Sequence, residues 1–231
     1  MGNLSYFSPL LTSFFIDCPD KLAGTRSYFD LNKKDQNRYM IAANRGFSQE
    51  MLAIPEQTHS SEIIYIDTPG DYKDADGLIT DNPDIILTLK VADCVPMYLY
   101  EPNSRIIGLV HSGWRGATGG IVSNAISTML EMGANGKAIR IFLGPAIGFC
   151  CYEVEGVVAD NFNKNAKKKM ENGKWKVGLY EEICLRLTAI DIPSENINTS
   201  EICTFESSDY HSYRRDGSHA GRMFAFFCLR S

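Results

Sequence analysis

The sequence predicts an α/β (α+β) fold, in which helices pack on a mixed β-sheet. Short apolar runs bounded by Gly, Pro and Asp favour strands, and they alternate with longer segments whose apolar residues recur at helical spacing. The chain has 231 residues, 44% hydrophobic and 22% charged, and a chain of this size can bury roughly 70 to 75% of its unfolded surface. We therefore expect one globular domain over residues 1–231, with a core that needs neither disulfides nor a structural metal.

The first half of the chain contains four apolar runs that predict strands, at 63–66, 85–92, 95–100 and 105–110. A stretch rich in Gly and Asp separates the first two, and we interpret it as a loop. The last two flank Glu101-Pro102-Asn103-Ser104, where Pro at the second position and Asn at the third favour a tight turn. This pattern predicts a β-hairpin with Pro102 and Asn103 at its centre.

The second half of the chain alternates between helical and extended patterns. Residues 113–120 are interpreted as a glycine-rich loop, and the apolar spacing over 121–132 predicts a helix. The remaining predicted elements are a strand at 139–143, a helix at 157–170 with lysines on its solvent side, a helix at 179–189 and a closing strand at 223–229.

Composition excludes several classes of protein. The net charge is −5 and no basic stretch is interleaved with aromatic residues, which argues against a nucleic-acid-binding surface. No apolar run approaches the 18 or so residues of a membrane-spanning helix, and the N-terminus lacks the pattern of an export signal. The seven cysteines are odd in number and irregularly spaced, which favours reduced thiols and a cytoplasmic protein.

Cys94 and His111 are the first candidates for a functional site. With Pro102 and Asn103 at the centre of the turn, Cys94 lies directly opposite His111, so that both side chains are on one face and one metal ion could bridge them. For a lone pair of this kind, a buried Cys and a hydrogen-bonded His at the end of a strand are the more common explanation. His111 continues into Ser112-Gly113-Trp114-Arg115-Gly116, where the glycines allow close approach and the Trp and Arg offer a stacking surface and an anion contact.

The other histidines and one cysteine pair carry weaker signals. His59 precedes a predicted strand, in Gln57-Thr58-His59. We interpret His211 and His219 as surface or loop residues that flank an Arg-rich stretch, and the adjacent Cys150 and Cys151 as core residues.

Five motifs occur in order along the chain and together carry a resemblance. They are A-D-G-L-I-T-D (75–81), A-D-C-V-P (92–96), H-S-G-W-R-G (111–116), G-P-A-I-G-x-C-C-Y-E-V (144–154) and S-Y-R-R-D-G (212–217), the last followed by G-R at 221–222. With these motifs the sequence resembles the YfiH family, whose members have been described as laccase-domain polyphenol oxidoreductases and are better described as purine nucleoside phosphorylases. The resemblance implies an α/β sandwich related to a toxin deamidase domain with a Cys-His pair.

The same resemblance implies a zinc-binding catalytic centre formed by His59, Cys94 and His111. Two nitrogen ligands and one sulfur ligand leave a fourth position of zinc open, as in catalytic sites. The implied reactions are phosphorolysis of adenosine, inosine and S-methyl-5′-thioadenosine to the free base and a ribose 1-phosphate, and deamination of adenosine. Zinc is the expected cofactor and copper the alternative, the expected partners are purine nucleosides and phosphate, and we expect a monomer or homodimer.

Phosphorolysis needs donors that hold a phosphate dianion beneath C1′, and a carboxylate can serve as a proton shuttle. The arginines that could bind phosphate or substrate are Arg45, Arg115, Arg214 and Arg222. The carboxylates nearest in sequence to the metal residues are Asp93 and Asp76.

Three other functions are alternatives for this sequence. A copper laccase needs a further cluster of histidines, for which four His in the chain are too few. A cysteine hydrolase or deamidase would use Cys94 as nucleophile and His111 as base. A non-catalytic protein stabilised by zinc is disfavoured, because the core is large and the ligand set leaves one position open.

Overall fold

The structure, a computed structural model, describes residues 11–15, 38–40, 42–43, 47–200 and 202–229. Its strands, in chain order, are β1 (Leu11–Phe15), β2 (Leu52–Pro55), β3 (Ile63–Tyr65), β4 (Gly70–Tyr72), β5 (Gly77–Thr80), β6 (Ile86–Val91), β7 (Val95–Glu101), β8 (Ile106–Ser112), β9 (Arg140–Leu143), β10 (Glu153–Val154), β11 (Lys167–Lys169), β12 (Trp175–Val177), β13 (Ile197–Thr199) and β14 (Met223–Leu229). The α-helices are α1 (Trp114–Gly119), α2 (Ile121–Glu131), α3 (Gly156–Ala159), α4 (Leu179–Ala189) and α5 (Tyr213–Asp216).

Two large mixed sheets form a sandwich. One sheet has six strands in the order β13-β9-β7-β8-β5-β3, and the other has five in the order β1-β14-β6-β2-β4. Every residue of β7, β8 and β14 is buried, as expected for strands covered on both faces. The predicted class, a mixed α+β sandwich, is confirmed.

The core has two layers, one on each side of the six-stranded sheet. Between the sheets, Tyr98 of β7 packs edge-on against Phe227 of β14, with ring centroids 5.3 Å apart. On the opposite face of the six-stranded sheet, Ile126 of α2 and Ile183 of α4 are buried in one cluster with Met97 and Leu99. The central sheet is therefore held from both sides, which fixes the ends of its strands.

The long amphipathic helices agree with the prediction. The predicted helix at 179–189 has the bounds of α4, and α2 ends one residue before the predicted end at 132. The predicted closing strand has the bounds of β14.

The predicted glycine-rich loop at 113–120 is wrong, since α1 occupies most of it. Gly113 accepts the N–H of Ala117 at 2.8 Å and caps the helix, and Gly120 ends it with a φ of 106°. The glycines at the two ends thus mark the boundaries of a helix.

The predicted helix at 157–170 is also wrong, because the chain leaves the helix after α3. The backbone N–H of Asn163 donates to the Glu182 carboxylate of α4 at 2.7 Å instead of to a carbonyl of its own helix. The chain then enters β11, which belongs to a small sheet of order β10-β12-β11. Lys168 and Lys169 are exposed, as expected, although they lie on a strand.

The hairpin of β7 and β8 is confirmed with a register two residues away from the prediction. His111 pairs with Pro96, because the connection has four residues, from Pro102 to Arg105. The Glu101 carboxylate accepts the N–H groups of Asn103 and Ser104, and Arg105 closes the loop with a φ of 56°. These contacts favour a four-residue loop over the predicted two-residue turn.

In the stretch between the first two predicted strands, residues 70–72 and 77–80 are strands β4 and β5, so the loop predicted there is only partly correct. Within the described ranges, the helices are too short or too polar to cross a membrane.

Candidate active site

His59, Cys94 and His111 meet where the chain passes between the two sheets. Their ligand atoms all lie within 4.8 Å of one another. His59 follows β2, Cys94 lies in the connection from β6 of one sheet to β7 of the other, and His111 is near the end of β8. His59 is exposed, Cys94 is half-buried and His111 is only 4% exposed.

Asp76, which is fully buried, holds both histidines. His111 Nδ1 lies 2.7 Å from Asp76 Oδ1, so this nitrogen donates to the carboxylate and Nε2 remains as the ring atom for a ligand. The same carboxylate accepts the backbone N–H groups of Thr58, His59 and Ser60 at 3.1, 3.0 and 2.6 Å. These contacts support His59 in the left-handed conformation, with a φ of 63°.

The electrostatics of the cluster favour a thiolate. Burial by itself would raise the pKa of the Cys94 thiol, but the charge and hydrogen bonds of the neighbouring histidines lower this pKa to about 6. Burial opposes protonation of His111, yet the Cys94 thiolate and Asp76 raise its pKa to about 9. The pKa of Asp76 is lowered to about 2, because hydrogen bonds from His111 and Ser60 outweigh the effect of burial.

Gly113 provides the space in which the cluster assembles. A Cβ atom at this position would lie 3.0 Å from Cys94 Sγ and 3.2 Å from His59 Cδ2. The glycine that caps α1 therefore also allows the thiol and an imidazole to approach each other.

The donor set fits a tetrahedral metal ion with one open position. One sulfur and two imidazole nitrogens are ligands that zinc accepts, and three protein ligands are typical of catalytic zinc sites. A ligating histidine normally donates its other N–H to a carboxylate, which is the relation between His111 and Asp76. The buried carboxylate is thus the outer partner that such a site requires.

A cavity of about 590 Å³ opens over the cluster. Its volume is within the range of small-molecule sites. Aromatic side chains in its lining are Trp114, Tyr152 and Tyr213. Arginines in its lining are Arg115, Arg214 and Arg222.

Aromatic rings and backbone carbonyl groups position the guanidinium groups of these three arginines. Arg115 stacks on Trp114, with its Cζ 4.5 Å from the ring centroid, and Arg214 stacks on Tyr152 at 4.9 Å. Arg222 donates to the carbonyl oxygens of residues 220 and 221. In the part of the chain that the structure describes, none of the three forms an ion pair with a carboxylate, so their charges are available to an anion.

Comparison with known proteins places this architecture in a family. The sequence profile of the family described as multi-copper polyphenol oxidoreductase laccase matches residues 27–230. The chain belongs to this laccase family. The predicted resemblance to the YfiH family is thereby confirmed.

The proteins similar to this chain carry different names. The chain is 33% identical over 215 residues to the purine nucleoside phosphorylase YlmD of Geobacillus stearothermophilus, covering 84% of this chain and 78% of that protein. It is 29% identical over 205 residues to the adenosine deaminase RL5 of an unknown prokaryotic organism, covering 81% of this chain and 78% of that protein. The crystal structure of the Bacillus licheniformis hypothetical protein YfiH superposes with a TM-score of 0.78 at 30% identity, covering 84% of this chain and 80% of that one.

The two predicted carboxylates have positioning contacts in this laccase-family structure. Asp76 lies behind the histidines with no exposure, which prevents contact with a bound molecule. Asp93 lines the cavity, but one oxygen accepts the Thr204 hydroxyl at 2.6 Å and the other accepts the Arg214 backbone N–H at 2.6 Å. The predicted substrate residue Arg45 lies outside the described residues.

Gln57 and Tyr152 are among the cavity residues that were not predicted as site residues. Gln57 exchanges hydrogen bonds of 2.8 and 2.9 Å with the backbone of Lys90 and so attaches the His59 loop to β6. Burial raises the pKa of Tyr152 to about 12, and the nearby Cys94 acts in the same direction. Tyr152 lies in the motif at 144–154 and Gln57 lies two residues before the predicted ligand His59, and these positions are the signals that could have identified them.

Two interpretations from the sequence need correction. His211 lies in a loop but is buried, at 8% exposure, because the ring packs where a side chain on Gly221 would otherwise lie. Cys150 is exposed and is therefore not a core residue, whereas Cys151 is half-buried and packs against the core. His219 is exposed, as predicted.

Proposed function

We propose that this protein is a zinc-dependent purine nucleoside phosphorylase that converts adenosine, inosine and S-methyl-5′-thioadenosine to the free base and a ribose 1-phosphate, and that it also deaminates adenosine. The observation that carries the proposal is one cavity that combines a three-ligand metal site with three arginines not paired with carboxylates in the described ranges. The names of the relatives, a purine nucleoside phosphorylase and an adenosine deaminase, support it.

His59, Cys94 and His111 would hold the metal. When bound there, zinc would supply a Lewis acid at the floor of the cavity. Copper oxidase chemistry needs additional histidine ligands. The chain has four histidines, and His211 and His219 lie outside the cluster, so zinc is the better match.

The remaining cavity residues suit the two halves of a nucleoside phosphorolysis. The flat rings of Trp114 and Tyr152 offer stacking surfaces for a purine. Arg214 and Arg222 carry the charges that would hold a phosphate dianion while its oxygen forms a bond to C1′ and the bond from C1′ to the purine nitrogen breaks. The departing base takes up a proton and leaves as the neutral purine.

The direct test is an assay of the purified chain with adenosine, inosine and S-methyl-5′-thioadenosine, each with and without phosphate, followed by chromatography. We expect phosphate-dependent release of the base with an equal amount of the sugar 1-phosphate, and inosine formed from adenosine without phosphate. Base release that is independent of phosphate would overturn the phosphorylase assignment.

A second candidate, a cysteine hydrolase, rests on one specific relation. Asp76, His111 and Cys94 form a chain in which the carboxylate orients the imidazole and the imidazole lowers the pKa of the thiol, as in nucleophilic cysteine enzymes. This chemistry does not use His59, whereas a metal site needs all three ligands.

His59→Ala therefore discriminates between the two candidates. The zinc enzyme should lose the metal of the cavity site and its turnover in this variant, and a chelator should abolish turnover of the wild type. A cysteine hydrolase should retain turnover in His59→Ala, tolerate EDTA and lose activity to iodoacetamide, with substrate giving protection.

A further inference from the structure

A second cluster of metal-ligating side chains lies apart from the first. Its members are three cysteines and one glutamate, namely Cys150, Cys151, Cys203 and Glu206. Their ligand atoms all lie within 4.8 Å of one another, and all three cysteines are free thiols. None of the four residues lines the cavity over His59, Cys94 and His111.

Two segments far apart in sequence bring the cluster together. Cys203 forms an isolated parallel bridge with Ala146, and the N–H of Thr204 donates to the Ala146 carbonyl at 3.0 Å. A turn then folds Cys151 back, since its N–H donates to the Gly148 carbonyl at 3.0 Å. The backbone thus aims the three thiols at one point.

Gly148 keeps the space between the segments open. A Cβ atom at this position would lie 3.1 Å from Cys150 Sγ and 3.4 Å from Cys203 Sγ. The N–H of Gly148 points at Cys203 Sγ from 3.2 Å. A backbone donor to a cysteine sulfur is the outer contact that tunes metal-bound thiolates.

The cluster is open to solvent on one side. Cys150 and Glu206 are exposed, and Cys151 and Cys203 are half-buried. A cation therefore has a path to the thiols. Lys176 donates to the Cys150 carbonyl and so helps to hold the turn.

We propose that Cys150, Cys151, Cys203 and Glu206 form a second metal site of the protein, built for a divalent thiophilic cation such as zinc. Three sulfurs and one carboxylate oxygen complete a tetrahedral shell from protein atoms alone, and closed shells of this kind are typical of structural zinc sites. Soft thiolates select zinc or copper(I), and the carboxylate favours zinc. The site thus differs in kind from the three-ligand site at the floor of the cavity.

A metal in this site would connect two loops of the cavity wall. The turn that holds Cys150 and Cys151 continues directly into Tyr152, which lines the cavity. Thr204, next to Cys203, donates to the carboxylate of Asp93 beside Cys94. The metal would fix these loops, while the large core maintains the fold.

Zinc stoichiometry tests the proposal. The full chain and its variants are dialysed against excess zinc in reducing buffer, washed free of loosely bound metal and measured by elemental analysis. We expect about two zinc ions per chain in the wild type, and about one each in Cys203→Ser and in Cys94→Ser, since a serine hydroxyl is a poor replacement for a thiolate. The double variant should retain essentially none, and Cys184→Ser, which changes a half-buried cysteine outside both clusters, should retain both ions.

Cobalt(II) in place of zinc gives an independent readout. Thiolate ligands produce charge-transfer absorption in the near ultraviolet that grows with their number, so Cys94→Ser loaded with cobalt should retain the stronger band and Cys203→Ser the weaker one. Glu206→Gln, at an exposed position that should not affect folding, should weaken zinc binding in the Cys94→Ser background by roughly tenfold or more. A Cys94→Ser chain that folds but binds no zinc or cobalt would overturn the proposal, whatever the activity of the wild type.

Discussion

The carboxylate of Asp76 binds the ring of His111 at 2.7 Å and, through its two oxygens, also the backbone of the loop that carries His59. One buried group thus fixes two of the three ligands of the candidate metal site. Because a ligating histidine depends on such a partner for its tautomer and orientation, Asp76 acts as a positioning residue for the site.

Replacing Asp76 should loosen the metal site more than it damages the fold. The amide group in Asp76→Asn has nearly the same size as the carboxylate. Only its oxygen can accept hydrogen bonds, whereas both oxygens of the carboxylate accept them in the wild type. We expect zinc affinity at the cavity site to fall by about 10- to 100-fold, and the free energy of unfolding to fall by about 1 to 3 kcal/mol because buried donors lose their acceptor. Chelator competition in a Cys203→Ser background and urea denaturation measure the two effects, and unchanged zinc affinity would show that Asp76 has only a structural role.

Gly113 offers a steric test of the same site. The methyl group of Gly113→Ala would lie 3.0 Å from Cys94 Sγ and 3.2 Å from His59 Cδ2. We expect metal content and nucleoside turnover to fall while the thermal midpoint changes little, since the residue keeps an extended backbone. Gly119→Ala, in the same helix and with no atom within 4 Å of its Cβ, is the matched control and should be neutral or stabilise by about 0.5 to 1 kcal/mol. Equal loss of metal in both variants would contradict this steric explanation.

Glu101, at the end of β7, should make the stability of the protein depend on pH. Burial opposes ionisation of Glu101, but hydrogen bonds from Ser104 and Asn103 outweigh it and lower the pKa of its carboxyl group. A carboxyl group whose pKa is lower in the folded than in the unfolded chain contributes stability above its unfolded pKa, and this contribution is lost as the pH falls through the folded pKa. We expect Glu101→Gln to destabilise the protein by about 1 to 3 kcal/mol at pH 7.

The same variant should reduce the acid sensitivity of the protein. Urea denaturation at pH 7, 5, 4 and 3 should show a difference between wild type and Glu101→Gln that is nearly constant from pH 7 to 5 and shrinks below the ordinary glutamate pKa of 4.5. Glu62→Gln, at an exposed side chain, is the control and should change stability little at each pH. A difference that stays constant with pH would contradict the assigned role of the Glu101 charge.

The approach of Cys94 to His111 could be predicted from the sequence even though the register was wrong. The four-residue loop shifts the pairing by two positions, and a shift of two leaves every side chain on the same face of the sheet. Cys94, one residue before β7, therefore still lies beside His111, and their ligand atoms are within 4.8 Å of each other. A shift of one residue would have separated them.

Other parts of the site could not be predicted from local patterns. Asp93 binds the backbone of Arg214 across 121 residues of chain, and a contact over this separation leaves no local pattern in the sequence. Arg215, next in sequence, donates to the carbonyl oxygens of Thr204 and Tyr210. Two adjacent arginines thus have different roles, one in the cavity lining and one holding loops together, and sequence spacing does not distinguish them.

Arg214 provides the sharpest test of the phosphorylase proposal. Its guanidinium group lies on the Tyr152 ring in the cavity lining, with no carboxylate partner in the described ranges, so it is available to an anion. A contact between a guanidinium group and phosphate that strengthens in the transition state contributes a few kcal/mol, so Arg214→Ala should lower phosphorolysis by roughly a hundredfold or more and raise the KM for phosphate. Adenosine deamination uses no phosphate and should fall much less in the same variant.

Lys168→Ala, which removes an exposed positive charge outside the cavity lining, controls for the change in net charge and should leave both reactions unchanged. Equal loss of the two activities would mean that Arg214 binds the nucleoside or supports the cavity wall, and no loss of either would mean that it serves only surface contacts.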